Sequence, residues 1–324
     1  MRTVAFRFPV LALLVALAGA TAWAKGGAPT KTWQGAAGAD WAVAGNWNPN
    51  GIPDGTNPVV INVGATPVLS DDRSCKKITN NGTLTINTGI TLTLAGGGNP
   101  YIGGTGTITT NGTGKVQVTG NGDPDDLMFN DTCSIGNFIL NDALNQRFTI
   151  TNGKTVTCTG SFTITSGKIK VGNATGAATL DLNGALTVAT GGTLMAADGG
   201  GGAISVTGNW TIDGSWQCGA GTTVTIDGSS TQTLDTDRTD AGATTADFFN
   251  LTISNSATFV ANANSEFEIA GTLTINAGKT LTVQDTFDPD GALTFSGADG
   301  VLRLEGAINN DASELGTAFT PATG

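Results

Sequence analysis

Residues 82–98 read GTLTINTGITLTLAGGG, and residues 271–283 repeat the phrase as GTLTINAGKTLTV. Threonine alternating with leucine or isoleucine leaves a chain little choice of fold. Successive side chains of an extended strand point to opposite faces, so Leu84 and Ile86 share one side while Thr83 and Thr85 share the other. A helix would scatter the same residues around its circumference. β-branched threonine also suits the exposed face of a strand. The pattern returns at Ile90/Leu92/Leu94, Val116/Val118, Phe162/Ile164, Leu180/Leu182, Leu186/Val188, Ile204/Val206, Trp210/Ile212, Val224/Ile226, Leu273/Ile275, Leu281/Val283, Leu293/Phe295 and Leu302/Leu304. Beyond residue 24 no stretch keeps a helical spacing over several turns. The sequence predicts an all-β chain.

Strands this short, about eight to twelve residues apart and separated by Gly, Asn-Gly or Asp-Gly, suit a sandwich, a barrel or a solenoid. Internal repetition decides among them. Ten of thirteen positions are identical between 82–94 and 271–283. GSFTITSGK at 160–168 matches GTLTINAGK at 271–279, and upstream GNFILND at 136–142 resembles FNLTISN at 249–255. The offset of 111 residues from 160 to 271 suggests duplication of a larger module. The expected architecture is a right-handed parallel β-solenoid, with aliphatic side chains stacked inward and threonines outward. One coil cannot offset its own ordering entropy, whereas neighbours sharing a core can. An antiparallel β-sandwich of the same strands is the alternative. The expected divisions are a signal peptide at 1–24, a Trp-rich N-terminal cap with entry strands at 25–74, solenoid repeats at 75–304 and a loop-like tail at 305–324. Asn87, Asn183 and Asn276, at strand ends, suit turns.

The chain opens MRTVAFRFPVLALLVALAGATAWA. Arg2 and Arg7 form a basic n-region, residues 10–17 an apolar stretch, and Ala22-Trp23-Ala24 a cleavage site. That pattern predicts a secretory signal peptide, with Lys25 as the first mature residue and a secreted or cell-surface location. Loss of the two arginines takes Lys+Arg from 15 to 13 against 26 Asp+Glu, moving the net charge from −11 to −13. Such a chain lacks the basic footprint of a nucleic-acid or anionic-membrane binder. No later apolar run approaches the roughly 20 residues of a membrane span. Cys75, Cys133, Cys158 and Cys218 could form two disulfides in three connectivities, or serve as small core residues; Cys158 continues the apolar phase of Val156.

Three of the six tryptophans lie in TWQGAAGADWAVAGNWNPNGIPDGTNPVVINVG, residues 32–64. Trp33, Trp41, Asn46, Trp47, Gly51, Pro53, Val59 and Ile61 carry a resemblance to the start of secreted bacterial β-helix and autotransporter-passenger-like surface proteins, and a fainter one to the glycine-rich G8 module. STQTLDT…FFNLTIS, within residues 230–254, is similar to a QT(I/L)…FxNLxI repeat of the same class. The resemblance implies structural, adhesive or matrix roles and carries over no catalytic residue. The chain departs from it in showing neither a C-terminal barrel nor a sorting signal. For Trp33, Trp41 and Trp47 two roles compete: covering the solenoid's end, or stacking on sugar rings.

Histidine is absent from the whole sequence. This excludes Ser-His-Asp and Cys-His catalysis and any imidazole metal site. The Gly runs at 96–98 and 199–202 lack the following Lys-Ser/Thr of a phosphate loop. Asp213 and Asp227 stand in TIDGS turns, at positions where other strand ends carry Asn; Asp235, Asp237 and Asp240 suit a protruding loop. Two acidic clusters are calcium candidates: Asp123, Asp125 and Asp126 in GDPDD, and Asp285, Asp288 and Asp290 in DTFDPDG. The second offers a fragment of a Gly-relieved oxygen cage, without the ligand number of a complete loop. No other cofactor is expected. Outward Thr-x-Thr pairs could order water on an ice-binding face, or simply reflect strand propensity. The expected function is an exported, non-enzymatic structural or adhesive protein. Its expected partners are itself, in end-to-end fibres, or cell-surface and matrix glycans. A polysaccharide-binding or polysaccharide-cleaving solenoid is the alternative, and an ice-binding solenoid a remote one.

Overall fold

The alternation becomes a set of ladders. Leu84 lies beside Ile108, Ile108 beside Ile135, and Ile135 beside Cys158. The line continues through Leu182, Val206, Ile226, Ile253 and Ile275 to Phe295. Each strand is parallel to the one above it, and every rung but the last is buried. The computed structural model describes residues 27–308 apart from 97–99, 121–125, 173–175, 197–200, 237–246 and 261–265. The predicted signal peptide and the tail beyond 308 lie outside the described residues.

Three faces make one coil. Face I contains Lys77–Asn80, Arg147–Ile150 and Ser215–Gln217; face II contains Thr83–Ile86, Thr155–Cys158 and Thr223–Ile226; face III contains Thr91–Leu94, Phe138–Asn141 and Thr280–Val283. The chain visits them in that order and returns to face I one rung on, as a right-handed parallel β-solenoid of about 10 turns. This is the hand that strand twist favours for parallel crossovers. Coil length varies: 24 residues separate Leu84 from Ile108, 27 separate Ile108 from Ile135, and 20 separate Ile204 from Val224. Some corners are turned without breaking the strand. Phe162–Val171 and Leu186–Ala196 each run from face III into face I, with a register shift between Ile164 and Ser166.

Inside, aromatic rungs are interspersed among aliphatic ones. Phe138 and Phe162 stack on successive coils with centroids 4.9 Å apart, and Trp210 meets Trp216 edge to face at 5.2 Å. Each fully buried aliphatic or aromatic side chain contributes ~1.5–3 kcal/mol. At one corner the coils approach too closely for any side chain. A Cβ on Gly184 would lie 2.3 Å from the carbonyl oxygen of Gly160, and one on Gly208 would lie 2.5 Å from the amide nitrogen of Ala185. Gly160, Gly184 and Gly208 each stand two residues before a face III strand, so the glycine there is a packing requirement repeated coil after coil.

Within residues 25–74, Lys31–Trp33 runs parallel to Pro58–Ile61, which runs parallel to Lys77–Asn80. Two expectations change. The antiparallel sandwich is excluded, since the only antiparallel pair among the described strands joins Lys31–Trp33 to Trp47–Asn48. The 111-residue echo is not a duplicated block of whole coils. Phe162 and Ile164 sit on face III, whereas their sequence matches Leu273 and Ile275 sit on face II. The 82–94 and 271–283 repeat does fall in phase, with Leu84 and Leu273 both on face II and Leu92 and Leu281 both on face III. Inside and outside alternate identically on every face, so one phrase serves any of them. Among the described residues no helix is long and apolar enough to cross a membrane.

Candidate functional site

Outward positions on face II line up as the inward ones do. One row reads Thr83, Thr107, Ser134, Thr157, Asp181, Ser205, Thr225, Thr252, Thr274 and Thr294. Adjacent strands lie ~4.7–4.9 Å apart, so nine hydroxyls and one carboxylate follow one another along the solenoid axis. Asp181 binds into the row, accepting a hydrogen bond from Ser205 Oγ at 2.8 Å and a longer one from Thr157 Oγ1 at 3.3 Å. Partial desolvation, and then the nearby Asp181 carboxylate, raise the Asp227 carboxyl above its usual value. A second row, Thr155, Thr179, Ala203, Thr223, Asn250, Thr272 and Ala292, is less uniform. Alanine, asparagine and aspartate thus interrupt the repeated threonine lattice on which the ice-binding expectation rests.

The N-terminal tryptophans pack against one another. Trp41 and Trp47 meet at 4.6 Å and Trp33 and Trp47 at 5.0 Å, both edge to face. Trp47 Nε1 donates to the Trp41 carbonyl at 2.8 Å, and the Trp41 amide donates to the Val68 carbonyl at 2.8 Å, fixing the cluster to the first rung of face II. Trp33 is 3 % exposed and the other two 0 %. Sugar stacking on Trp33, Trp41 and Trp47 is therefore set aside for this conformation, because no indole face is open; the rings form a lid.

Among the described residues no group of three His, Cys, Asp or Glu side chains converges as metal ligands do. Asp285 accepts from the backbone amide of Thr286 at 2.7 Å, Asp288 lies in a strand beside Glu268, and Asp290 is exposed. Asp123 and Asp125 lie outside the described residues, as do Asp237 and Asp240. Among the described residues no disulfide joins the four cysteines. Burial pushes the Cys158 thiol up to about 12, and burial with the Asp131 charge does the same to Cys133. Cys158 Sγ donates to the Gly136 carbonyl at 2.8 Å and is one rung of the face II ladder.

Face I carries a feature that alternation did not reveal. An open groove of about 620 Å³ lies beside the loop at residues 142–146, lined by that loop together with Arg147, Lys168, Met195 and Gln217. The outward row Arg147, Lys168, Thr193, Ser215 runs alongside a second, Thr149, Lys170, Met195, Gln217. The sequence trace of this groove is faint: Lys168-x-Lys170 in a chain with few cations, with Arg147 one coil of 21 residues before Lys168.

Comparison with family models, with curated proteins and with solved structures gives no match.

Proposed function

We propose that this chain acts outside the cytoplasm as a non-enzymatic structural or adhesive protein, a stiff rod that presents polar flanks for contact. The observation that carries the reading is the ten-position polar row of face II, held on strands paired on both sides over most of its length. A surface so regular favours repeated contacts along a length rather than turnover at a point, and each rung is fixed by its neighbours. The predicted signal peptide and the likeness of the Trp-rich opening to secreted surface solenoids support an exported location. Self-association, the other half of the reading, is assigned to the C-terminal rung. There Leu293, Phe295, Leu302 and Leu304 continue the inward ladders and remain partly exposed, whereas indoles cover the opposite end.

Fractionation of the producing cells, with protease accessibility of the chain on intact cells, tests export and surface retention together. The expected result is protease-sensitive protein held on cells or matrix. A chain found free in solution, with affinity for neither cells, matrix nor itself, overturns the reading. Negative-stain microscopy at rising concentration tests the self-contact: rods joined in pairs through their unlidded ends are expected, and persistent monomers remove that half.

A further inference from the structure

We propose that Asn111 is the acceptor of an N-linked glycan, transferred outside the cytoplasm from an oligosaccharide carried on a polyprenyl pyrophosphate. The proposal goes beyond the structural reading and rests on it only for export, which brings the chain to such a donor. The first ground is the motif. Asn-x-Ser/Thr with x other than proline, the acceptor pattern of such transfer, occurs at Asn81, Asn111, Asn130, Asn209 and Asn250. A sixth, at Asn173, lies outside the described residues. So short a motif recurs by composition alone in a chain rich in Asn and Thr. The fold decides which copy is open.

The second ground is a comparison of two identical triplets. Asn-Gly-Thr stands at 81–83 and again at 111–113, and the solenoid treats the two oppositely. At 81–83 the triplet is built into the coils. Asn81 Oδ1 accepts the Thr105 amide of the next coil at 3.3 Å, and the Thr83 amide donates to the Ala65 carbonyl at 2.9 Å. A Cβ on Gly82 would lie 2.3 Å from that same carbonyl oxygen. At 111–113 the triplet is a turn between the strands Thr107–Thr110 and Lys115–Val118. The Gly114 amide donates to the Asn111 carbonyl at 2.9 Å, and Gly112 has φ +51°, which glycine adopts without strain. Asn111, Gly112 and Thr113 are all exposed, and among the described residues no hydrogen bond engages the Asn111 or Thr113 side chain. The other three motifs are committed elsewhere. Asn209 and Asn250 accept the Thr233 and Thr272 amides of the next coil, each at 3.0 Å. Asn130 Oδ1 accepts from Thr151 Oγ1 at 3.5 Å, and Thr132 Oγ1 accepts the Thr155 amide at 3.2 Å.

The third ground is the chemistry of transfer. A bond forms between Asn Nδ2 and C1 of the first sugar. The C1–O bond to pyrophosphate breaks, the lipid pyrophosphate leaves, and a base of the transferase takes one amide proton. Amide resonance makes that nitrogen a weak nucleophile, so the carboxamide must be free to turn within the transferase. A carboxamide oxygen fixed by the next coil resists the turn, and a sugar there would force the coils apart. Asn111 meets neither obstacle. Its turn is nonetheless firmly seated, since Asn137 Nδ2 donates to the Gly112 carbonyl at 2.9 Å and to the Gly114 carbonyl at 2.8 Å. An acceptor presented in one shape needs little ordering when the transferase engages it.

The test is transfer onto the purified, folded full chain by a single-subunit oligosaccharyltransferase with its lipid-linked donor, the products mapped by peptide mass. The expected result is a glycan on Asn111, added at least about tenfold faster than on Asn81, Asn130, Asn209 or Asn250. Synthetic peptides carrying the 81–83 and 111–113 triplets should be modified at similar rates, because the fold and not the triplet separates them. N111Q and T113A should abolish the modification, T113S should keep it, and N250Q should leave it unchanged. Exported chain recovered from the producing cells should carry a glycan on the same peptide. Any of four results overturns the proposal: a folded chain unmodified at Asn111, equal modification of another described motif, peptides that differ as much as the two folded sites do, or exported chain without a glycan at Asn111. Chain confined to the cytoplasm would instead remove the export reading, and the transfer reaction on purified chain would still decide the acceptor.

Discussion

The two ends of the solenoid solve the same problem differently. At the first rung Leu69 and Cys75 are fully buried; on face II Asp40 bridges to Val68 and the Trp41 amide donates to the Val68 carbonyl, so the tryptophan segment lies over that end. At the last rung of face II, Phe295 stands beside Ile275 in the same ladder; Ile275 is 0 % exposed and Phe295 43 %. Ile308, beside the buried Phe287, is comparably open. An inward-facing position is buried only when something stacks beyond it. Burial in a solenoid belongs to the pair of rungs and not to the residue.

The sharpest test of that contrast is truncation of one aromatic at each end. Trp47→Ala removes a fully buried ring, its edge-to-face contacts with Trp33 and Trp41 and its hydrogen bond, and should cost ~3–5 kcal/mol in urea unfolding. Phe295→Ala should cost less than about 1 kcal/mol, since much of that ring already meets water. Equal losses would erase the distinction between a lidded and an open end. A smaller effect is expected at the close coil contact in the middle. Gly184→Ala drives a methyl against the Gly160 carbonyl and should destabilise by ~1–3 kcal/mol. Gly45→Ala, in the lid with nothing within 4 Å of the added carbon, should stay within ~0.5 kcal/mol of neutral.

Cys75 reports on the lid without unfolding the chain. Burial raises its thiol far above the ordinary range, so a thiol reagent should label it slowly in the native protein. Trp47→Ala should speed that labelling and Phe295→Ala should leave it unchanged; the reverse order would place the cover elsewhere. The smallest effect lies away from both ends. The Asp227 carboxyl is raised above its ordinary value by partial desolvation and by Asp181, so the folded state favours its protonated form. Its ionisation therefore subtracts stability as pH rises through the folded-state value, and the penalty is absent below the unfolded one. Asp227→Asn should raise the melting temperature slightly at pH 7 and not at all below about pH 3.5. A gain that persists in acid would show that charge is not its cause.

The resemblance between GSFTITSGK and GTLTINAGK shows where sequence reasoning stops. Both phrases determine that a strand forms and which side chains enter the core, because alternation is a local property of extended backbone. Neither determines its face, since all three faces impose the same alternation. The tryptophan lid was legible for a related reason: large apolar rings at the start of a repeating chain have few places to go. The groove beside Arg147 was not. Its residues come from four strands on successive coils, and coils of 20 to 27 residues give no fixed spacing by which to find them. By itself the sequence determined the strands, their inward and outward sides, and the need to stack. Only the tertiary structure decided register, and through register which cations meet and which rows of hydroxyls align. The physical reason is that side-chain direction is set within a few residues of backbone, while neighbours across a parallel ladder are set by the length of everything between them.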